Sequence, residues 1–290
     1  MFLAEIADTA MRDCISLGEL AVRLESEESG ISPSDIRGKM AEFLVVMRQA
    51  VEEGLSHDAR TSRSGLSGGD GHKVMNRYIR GNSFPGDEVL TRSLAYSLAI
   101  SETNASMGKI VAAPTAGSCG VIPGTFLSVA QALDLSDDVV IDALCAAGIV
   151  GQCIASKASL SGAEGGCQAE CGSAAAMASA GLAQMGGGSP LTCINAAALA
   201  IKGLMGLVCD PVAGLVEVPC VKRNATSSAV ALASAEMALS GITSIIPPDE
   251  VVQAMSQVGR AIPESLRETS MGGLAATQTG QFLAKTILGR

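Results

Sequence analysis

Residues 141–160 read IDALCAAGIVGQCIASKASL, a run with no charge between Ala143 and Ser156. Its length and its alanine, leucine and isoleucine content suit a helix. A helix with no polar face has nothing to offer water, so it belongs inside the protein. Segments of similar length and content recur at Leu90–Ser101, Ala174–Gln184, Ile194–Leu207, Ser227–Leu239 and Pro248–Ala261. Alternating β-branched runs are scarce, and Val216-Glu217-Val218 is too short to count as a strand. Small side chains let helices approach closely. The expected architecture is all-α: one compact, mostly helical domain over residues 1–290, with buried Ala/Gly-rich central helices.

Outside that core the chain is less apolar. Residues 1–55 carry an ordinary amphipathic pattern. Ser32 and Pro33 form a helix-start signal. Ile36, Met40, Phe43, Leu44, Met47 and Val51 then recur at a helical period, with Arg37, Lys39, Glu42 and Arg48 elsewhere. Residues 56–87 change character around Arg60–Gly71, which is rich in serine and glycine. This is either a linker or an ordered loop whose N–H groups and hydroxyls hold a small anion such as a carboxylate. It is not a P-loop. Its Gly65-Leu66-Ser67-Gly68-Gly69 matches the spacing of a hydrolase elbow but lacks the strand that must precede one.

Composition narrows the function. Of 290 residues, 48% are hydrophobic and 17% charged, enough apolar material for a core and too little polarity for disorder. A net charge of −9 argues against a general nucleic-acid surface. Aromatic content of 2%, with no tryptophan, removes the stacking platforms that hold single strands. The long uncharged stretch Cys171–Ile201 approaches the length of a membrane span, but Gly186-Gly187-Gly188-Ser189-Pro190 cuts it into pieces too short to cross. No membrane association is expected. The first residues, with Glu5 and Asp8, do not form a secretory signal. Nine cysteines, an odd number, then point to a reducing cytoplasm and to metal or catalytic use over a disulfide framework.

Three cysteines sit in unusual company: Cys167 in Glu164–Glu170, Cys209 in Gly206–Gly214, and Cys220 at the end of Val218-Pro219-Cys220 before Lys222-Arg223-Asn224. Each has glycine or proline beside it, which places it at a turn or helix end. Thiolates are the natural ligands of iron–sulfur clusters, although the spacing is neither a ferredoxin run nor a zinc ribbon. Cys171, four residues after Cys167, shares a helical face with it; packing is its expected part. Cys14, Cys145, Cys153 and Cys193 lie in apolar surroundings and read as core.

These segments, together with Asn104–Lys109, Pro114–Gly120 and the Ser/Gly loop, resemble the iron–sulfur-dependent L-serine dehydratases (L-serine ammonia-lyases). The chain looks most like the α chain of the two-chain bacterial form, over nearly its whole length. The resemblance implies a [4Fe–4S] cluster held by Cys167, Cys209 and Cys220, with Cys119 the runner-up ligand and one iron left open. An open iron can act as a Lewis acid on the C3 hydroxyl of L-serine, giving pyruvate and ammonia. It also implies a β chain carrying a regulatory module, and a hetero- or homo-oligomer. Candidate substrate binders are Ser64, Ser67, Gly68, Gly69, Thr115, Ser118 and Asn104, with Ser106 a further polar group. Candidates for proton chemistry are Lys157, His57 and His72. Lys157 is either a functional cation or the partner of a buried acid such as Glu164, and Arg223 can equally pair with Asp210. Three other readings compete: a pyridoxal-phosphate dehydratase, which wants an α/β fold, an iron–sulfur cysteine desulfidase, and a non-catalytic cluster-binding redox sensor.

Overall fold

The computed structural model describes residues 1–56, 59, 61–82 and 88–289. Among these residues the regular structure is helical: α1 (Leu3–Arg12), α2 (Leu17–Ser29), α3 (Pro33–Leu55), α4 (Asp70–Ile79), α5 (Glu88–Ala105), α6 (Val121–Leu133), α7 (Asp137–Ala155), α8 (Gly162–Gly165), α9 (Ser173–Met185), α10 (Pro190–Leu204), α11 (Cys220–Leu239), α12 (Pro248–Ala261) and α13 (Gln278–Leu288). The one extended pairing among the described residues is an isolated parallel bridge between Cys209 and Arg267. The all-α expectation holds, and a fold that needs a sheet for pyridoxal phosphate is not present among the described residues.

The core is built on α9. Its sequence, SAAAMASAGLAQM, has no polar side to turn outward, and every residue but Gln184 is buried. Helices α6, α7, α10 and α11 pack around it. Small residues permit that crowding: a Cβ on Gly181 would lie 2.2 Å from the Phe126 ring and 2.9 Å from the Ala143 carbonyl. The large core side chains come from the surrounding helices. Phe126, Ile149, Ile154, Ile194 and Ile201 are all under 2% exposed, each worth about 1.5–3 kcal/mol of burial. Residues 116–133 and 137–155 are each long and apolar enough to cross a membrane, but two thirds of each is buried inside this core, where it packs on other helices.

Local signals explain most helix ends. Ser32 caps α3 by accepting from the Asp35 N–H, with Pro33 in the first turn. Helix α12 keeps its sequence-derived bounds, Pro248–Ala261. Helix α4, inside the Ser/Gly-rich region, was not legible. Its N-cap is Gly69, which has no side chain to cap with. Glu102 of α5 does that work from across the fold, accepting from Asp70 N (2.8 Å) and Gly71 N (3.2 Å). Cys14 is corrected. It is exposed rather than core, because it sits at positive φ in the turn that follows α1.

Candidate metal centre

The turn carrying Cys167 is set by Gly166, whose φ of +76° favours glycine; a Cβ there would also meet the Leu207 carbonyl at 2.9 Å. The chain then forms one wide π-helical turn, Gln168–Gly172, before entering α9. Such turns recur at functional sites. It presents Cys167, Glu170 and Cys171 on one side. Gln168 points the other way, 1% exposed, donating to Gly165 O and Met255 O and accepting from Gly206 N. That amide staples the turn to α12 and to the next cysteine loop.

Cys209 comes from the loop between α10 and α11. Its N–H donates to Leu266 O (2.8 Å) and its carbonyl accepts from Glu268 N (2.7 Å), so residues 266–268 bracket it. Cys167, Cys171 and Cys209 form one buried sulfur cluster. Cys220, 8% exposed, opens α11 beside them. The Cys171 thiol donates to the Cys167 sulfur, which draws Cys167 below the usual thiol value and pushes Cys171 above it. Burial pushes Cys209 up, and burial with the Cys167 charge pushes Cys220 up to about 12. A cation beside such thiols offsets the cost of ionising them.

One is already there. Burial works against the Arg223 guanidinium, but the charges of Cys167 and Asp210 more than offset it and raise its pKa. Arg223 pairs with Asp210 at 2.9 Å, the partnership its sequence allowed, and donates to Val208 O at 2.7 Å.

The opposite wall is the Thr115–Ser118 turn. The Thr115 hydroxyl donates to Glu170 Oε1 (2.9 Å) and lies 3.1 Å from the Ser118 hydroxyl. Burial raises the Glu170 carboxyl, more than the Thr115 bond lowers it. Asn224, 1% exposed, ties this wall to the cysteines: its Nδ2 donates to Gly117 O (2.7 Å) and Cys220 O (3.0 Å), and its Oδ1 accepts from Gly120 N (2.9 Å). Asn104 supports the turn from behind by donating to Ala116 O (3.2 Å). Ser106 faces away, bonded to Glu102 O. Gly162 leaves room at the centre: a Cβ there would lie 2.8 Å from Glu170 Oε2 and 3.1 Å from Cys209 Sγ.

Residues 61–71 of the Ser/Gly loop dock on the same place. Ser64 donates to both oxygens of buried Glu217 (2.8 and 2.9 Å), between Cys209 and Cys220. Lys222 reaches Asp70 at 2.7 Å. The Ser67 hydroxyl is buried with no partner among the described residues. Gly68 and Gly69 lead into α4.

Three sequence candidates lie apart. Lys157 sits over the Phe2 ring (3.9 Å) and lines a cavity behind the Cys167 turn, with no ion pair to Glu164 among the described residues. His72 is held on α4, with Nδ1 2.7 Å from Leu55 O and Nε2 2.6 Å from Asn76 Nδ2. His57 lies outside the described residues. Cys119, Cys153 and Cys193 belong to the main apolar core, and Cys145 to a small apolar cluster beside it. Of the residues that sequence reasoning did not assign, Glu170 and Asn224 stand within the cysteine-bearing motifs and Glu217 lies between two of them, and that proximity was the available signal.

No three His, Cys, Asp or Glu side chains among the described residues converge on a point as they would for a single ion. A cubic cluster asks for something else, since each thiolate meets a different corner. Buried sulfurs from three segments, a neighbouring cation and a bare Cα at Gly162 fit that group.

The segments that build this centre are those of a known family. The description "Serine dehydratase alpha chain" matches residues 12–275, and the chain belongs to that family. It is 46% identical to the probable L-serine dehydratase alpha chain of Bacillus subtilis, over 98% of this chain and 94% of that one. It is 39% identical to the L-serine dehydratase alpha chain of Peptoniphilus asaccharolyticus, over 98% and 97%. An L-serine dehydratase of Streptomyces coelicolor is 36% identical over 88% of this chain but only 56% of its own length.

Proposed function

We propose that this chain is the catalytic α chain of an L-serine dehydratase, which converts L-serine to pyruvate and ammonia. The observation that carries the reading is the gathering of Cys167, Cys209 and Cys220, from three separate segments, on one buried face beside Glu170 and Thr115. Those three cysteines would hold a [4Fe–4S] cluster. When bound, it supplies a Lewis-acidic iron that helps the C3 hydroxyl of serine depart.

The protein's own groups do the rest. Glu170 Oε1 is engaged by Thr115, which leaves Oε2 facing the space at Gly162. Oε2 is placed to receive the Cα proton, and the Thr115 bond holds the carboxylate at one angle while it does so. Ser118 fixes the Thr115 hydroxyl. Asn104 and Asn224 fix the turn that carries both. Ser64, Ser67, Gly68 and Gly69 close the site from the α4 side, with the unpartnered Ser67 hydroxyl available to a substrate carboxylate. Loss of the Cα proton and of the C3 hydroxide, together one water, leaves 2-aminoacrylate, which tautomerises and takes up one water to give pyruvate and ammonia. His72 positions α4, and Lys157 lines a separate cavity behind the Cys167 turn. A second, regulatory β chain completes the enzyme; the alpha-chain names of the relatives and the greater length of the Streptomyces protein support a further chain or segment. The enzyme works in the cytoplasm, as a cysteine-rich chain suits a reducing compartment.

The test is anaerobic purification with the β chain, counting iron and sulfide and measuring pyruvate release from L-serine. Cys167→Ser, Cys209→Ser and Cys220→Ser should each lose iron and activity, while Cys119→Ser keeps both. A preparation active without iron overturns the proposal. Sulfide from L-cysteine with no pyruvate from L-serine redirects it to a desulfidase.

A further inference from the structure

A cavity of about 600 Å³ lies behind the Cys167 turn, walled by Gly165, Gln168 and Ala169. Lys157, Arg260 and Arg267 line it. None of the three makes an ion pair among the described residues. Lys157 rests on the Phe2 ring, and Arg260 donates to the Ser256 hydroxyl (2.9 Å). Among the described residues the Arg267 side chain reaches only the Glu164 carbonyl (3.3 Å), and its buried Nε has no partner there. Glu164 is the one carboxylate on the wall, and it pairs with none of them. In a chain of net charge −9, three cations without an ion pair among the described residues gather around one hollow, one of them with a buried unpartnered Nε, and that arrangement suits an anion.

The volume suits a small molecule. Serine is a poor fit, because its ammonium group would face the same three cations. The position is informative too. The turn that forms the cavity wall presents Cys167 on its other side, and the backbone at Arg267 brackets Cys209. An occupant bridging Lys157, Arg260 and Arg267 would therefore hold both cysteine-bearing segments from behind.

We propose that this cavity binds a small oxyanion carrying at least two negative charges, on phosphate or carboxylate groups, and that its occupant steadies the Cys167 and Cys209 segments. Calorimetric titration of the full-length chain, purified without oxygen, with inorganic phosphate and with malonate provides the test. Saturable binding of either anion is expected, and the better of the two identifies the group preferred. Arg260 is exposed, so Arg260→Gln should fold normally and weaken binding about tenfold, the loss of one charge-assisted hydrogen bond. Glu164→Gln should tighten binding severalfold by removing the opposing charge. Amide exchange at residues 164–169 and 207–212 should slow when the anion is present. Absence of saturable binding, or binding indifferent to both substitutions, overturns the site. Unchanged exchange in both segments overturns the steadying role. None of these readouts depends on turnover or on iron.

Discussion

Asn224→Ala puts the assembly of the centre to its sharpest test. The side chain makes three hydrogen bonds, to Gly117 O, Cys220 O and Gly120 N, in a place that is 1% exposed. Alanine leaves those backbone groups without it and admits no water in exchange. A stranded buried group costs about 1–3 kcal/mol. The Cys220 carbonyl is the least affected, because it also opens helix α11. Two groups carry the loss, so the variant should be destabilised by roughly 2–6 kcal/mol. Domains of ordinary stability hold about 5–15 kcal/mol, so the protein should still fold, with a lower urea midpoint. Activity should fall further than stability does, because the Thr115 wall is released from the Cys220 helix. Asn224→Asp sharpens the point. It keeps the acceptor for Gly120 but turns a carboxylate oxygen toward two carbonyls, and should be worse than alanine. The assays are urea unfolding and serine-dependent pyruvate release, both without oxygen. An alanine variant within about 0.5 kcal/mol of wild type, with normal iron and turnover, would show that the two walls are held together by something else.

Gly162→Ala should keep its helical circular-dichroism signal yet lose iron and pyruvate release, because its methyl would sit 2.8 Å from Glu170 Oε2 and 3.1 Å from Cys209 Sγ. Ser64→Ala removes the hydroxyl that donates to both oxygens of buried Glu217; it should raise KM for serine more than it lowers kcat, as measured by initial rates, since it loosens a loop and not the reacting groups. Glu102 gives a pH signature. Burial lifts its carboxyl above 4.5, against the two N–H donors and Lys222, with Asp70 adding to the rise. The folded chain therefore keeps this proton to higher pH than the unfolded chain, so this contribution to stability is full below 4.5 and is lost as pH climbs through the raised value. Glu102→Gln should flatten that decline in a series of thermal melts across mildly acidic pH; an unchanged slope would assign the decline elsewhere.

What the sequence disclosed, and what it withheld, divides by the range of the forces involved. Uncharged helical runs announce burial on their own, because no neighbour is needed to know that most of residues 143–154 avoid water. The fold class was legible for that reason. Three cysteines stood out by their glycine and proline neighbours, which mark turns whatever they face; reading them as one ligand set rested on the family resemblance. Helix α4 was hidden because its cap is Glu102, a residue on another helix. Glu170 was in view but unassigned. Its part depends on Thr115 across the site and on the bare Cα of Gly162, and neither relation is a matter of spacing. Lys157 stood open between two readings. A lone cation in an apolar stretch looks functional, and the sequence cannot say which side of a turn it will occupy. Here the turn that carries Cys167 separates two chemistries: sulfur and carboxylate on one side, unpaired cations on the other. The same Gln168 side chain anchors that turn to α12, which supplies Arg260, and to the loop that supplies Cys209. A change on the cationic side thus has a short covalent and hydrogen-bonded route to the sulfur side, and both faces constrain what residues 165–169 can be.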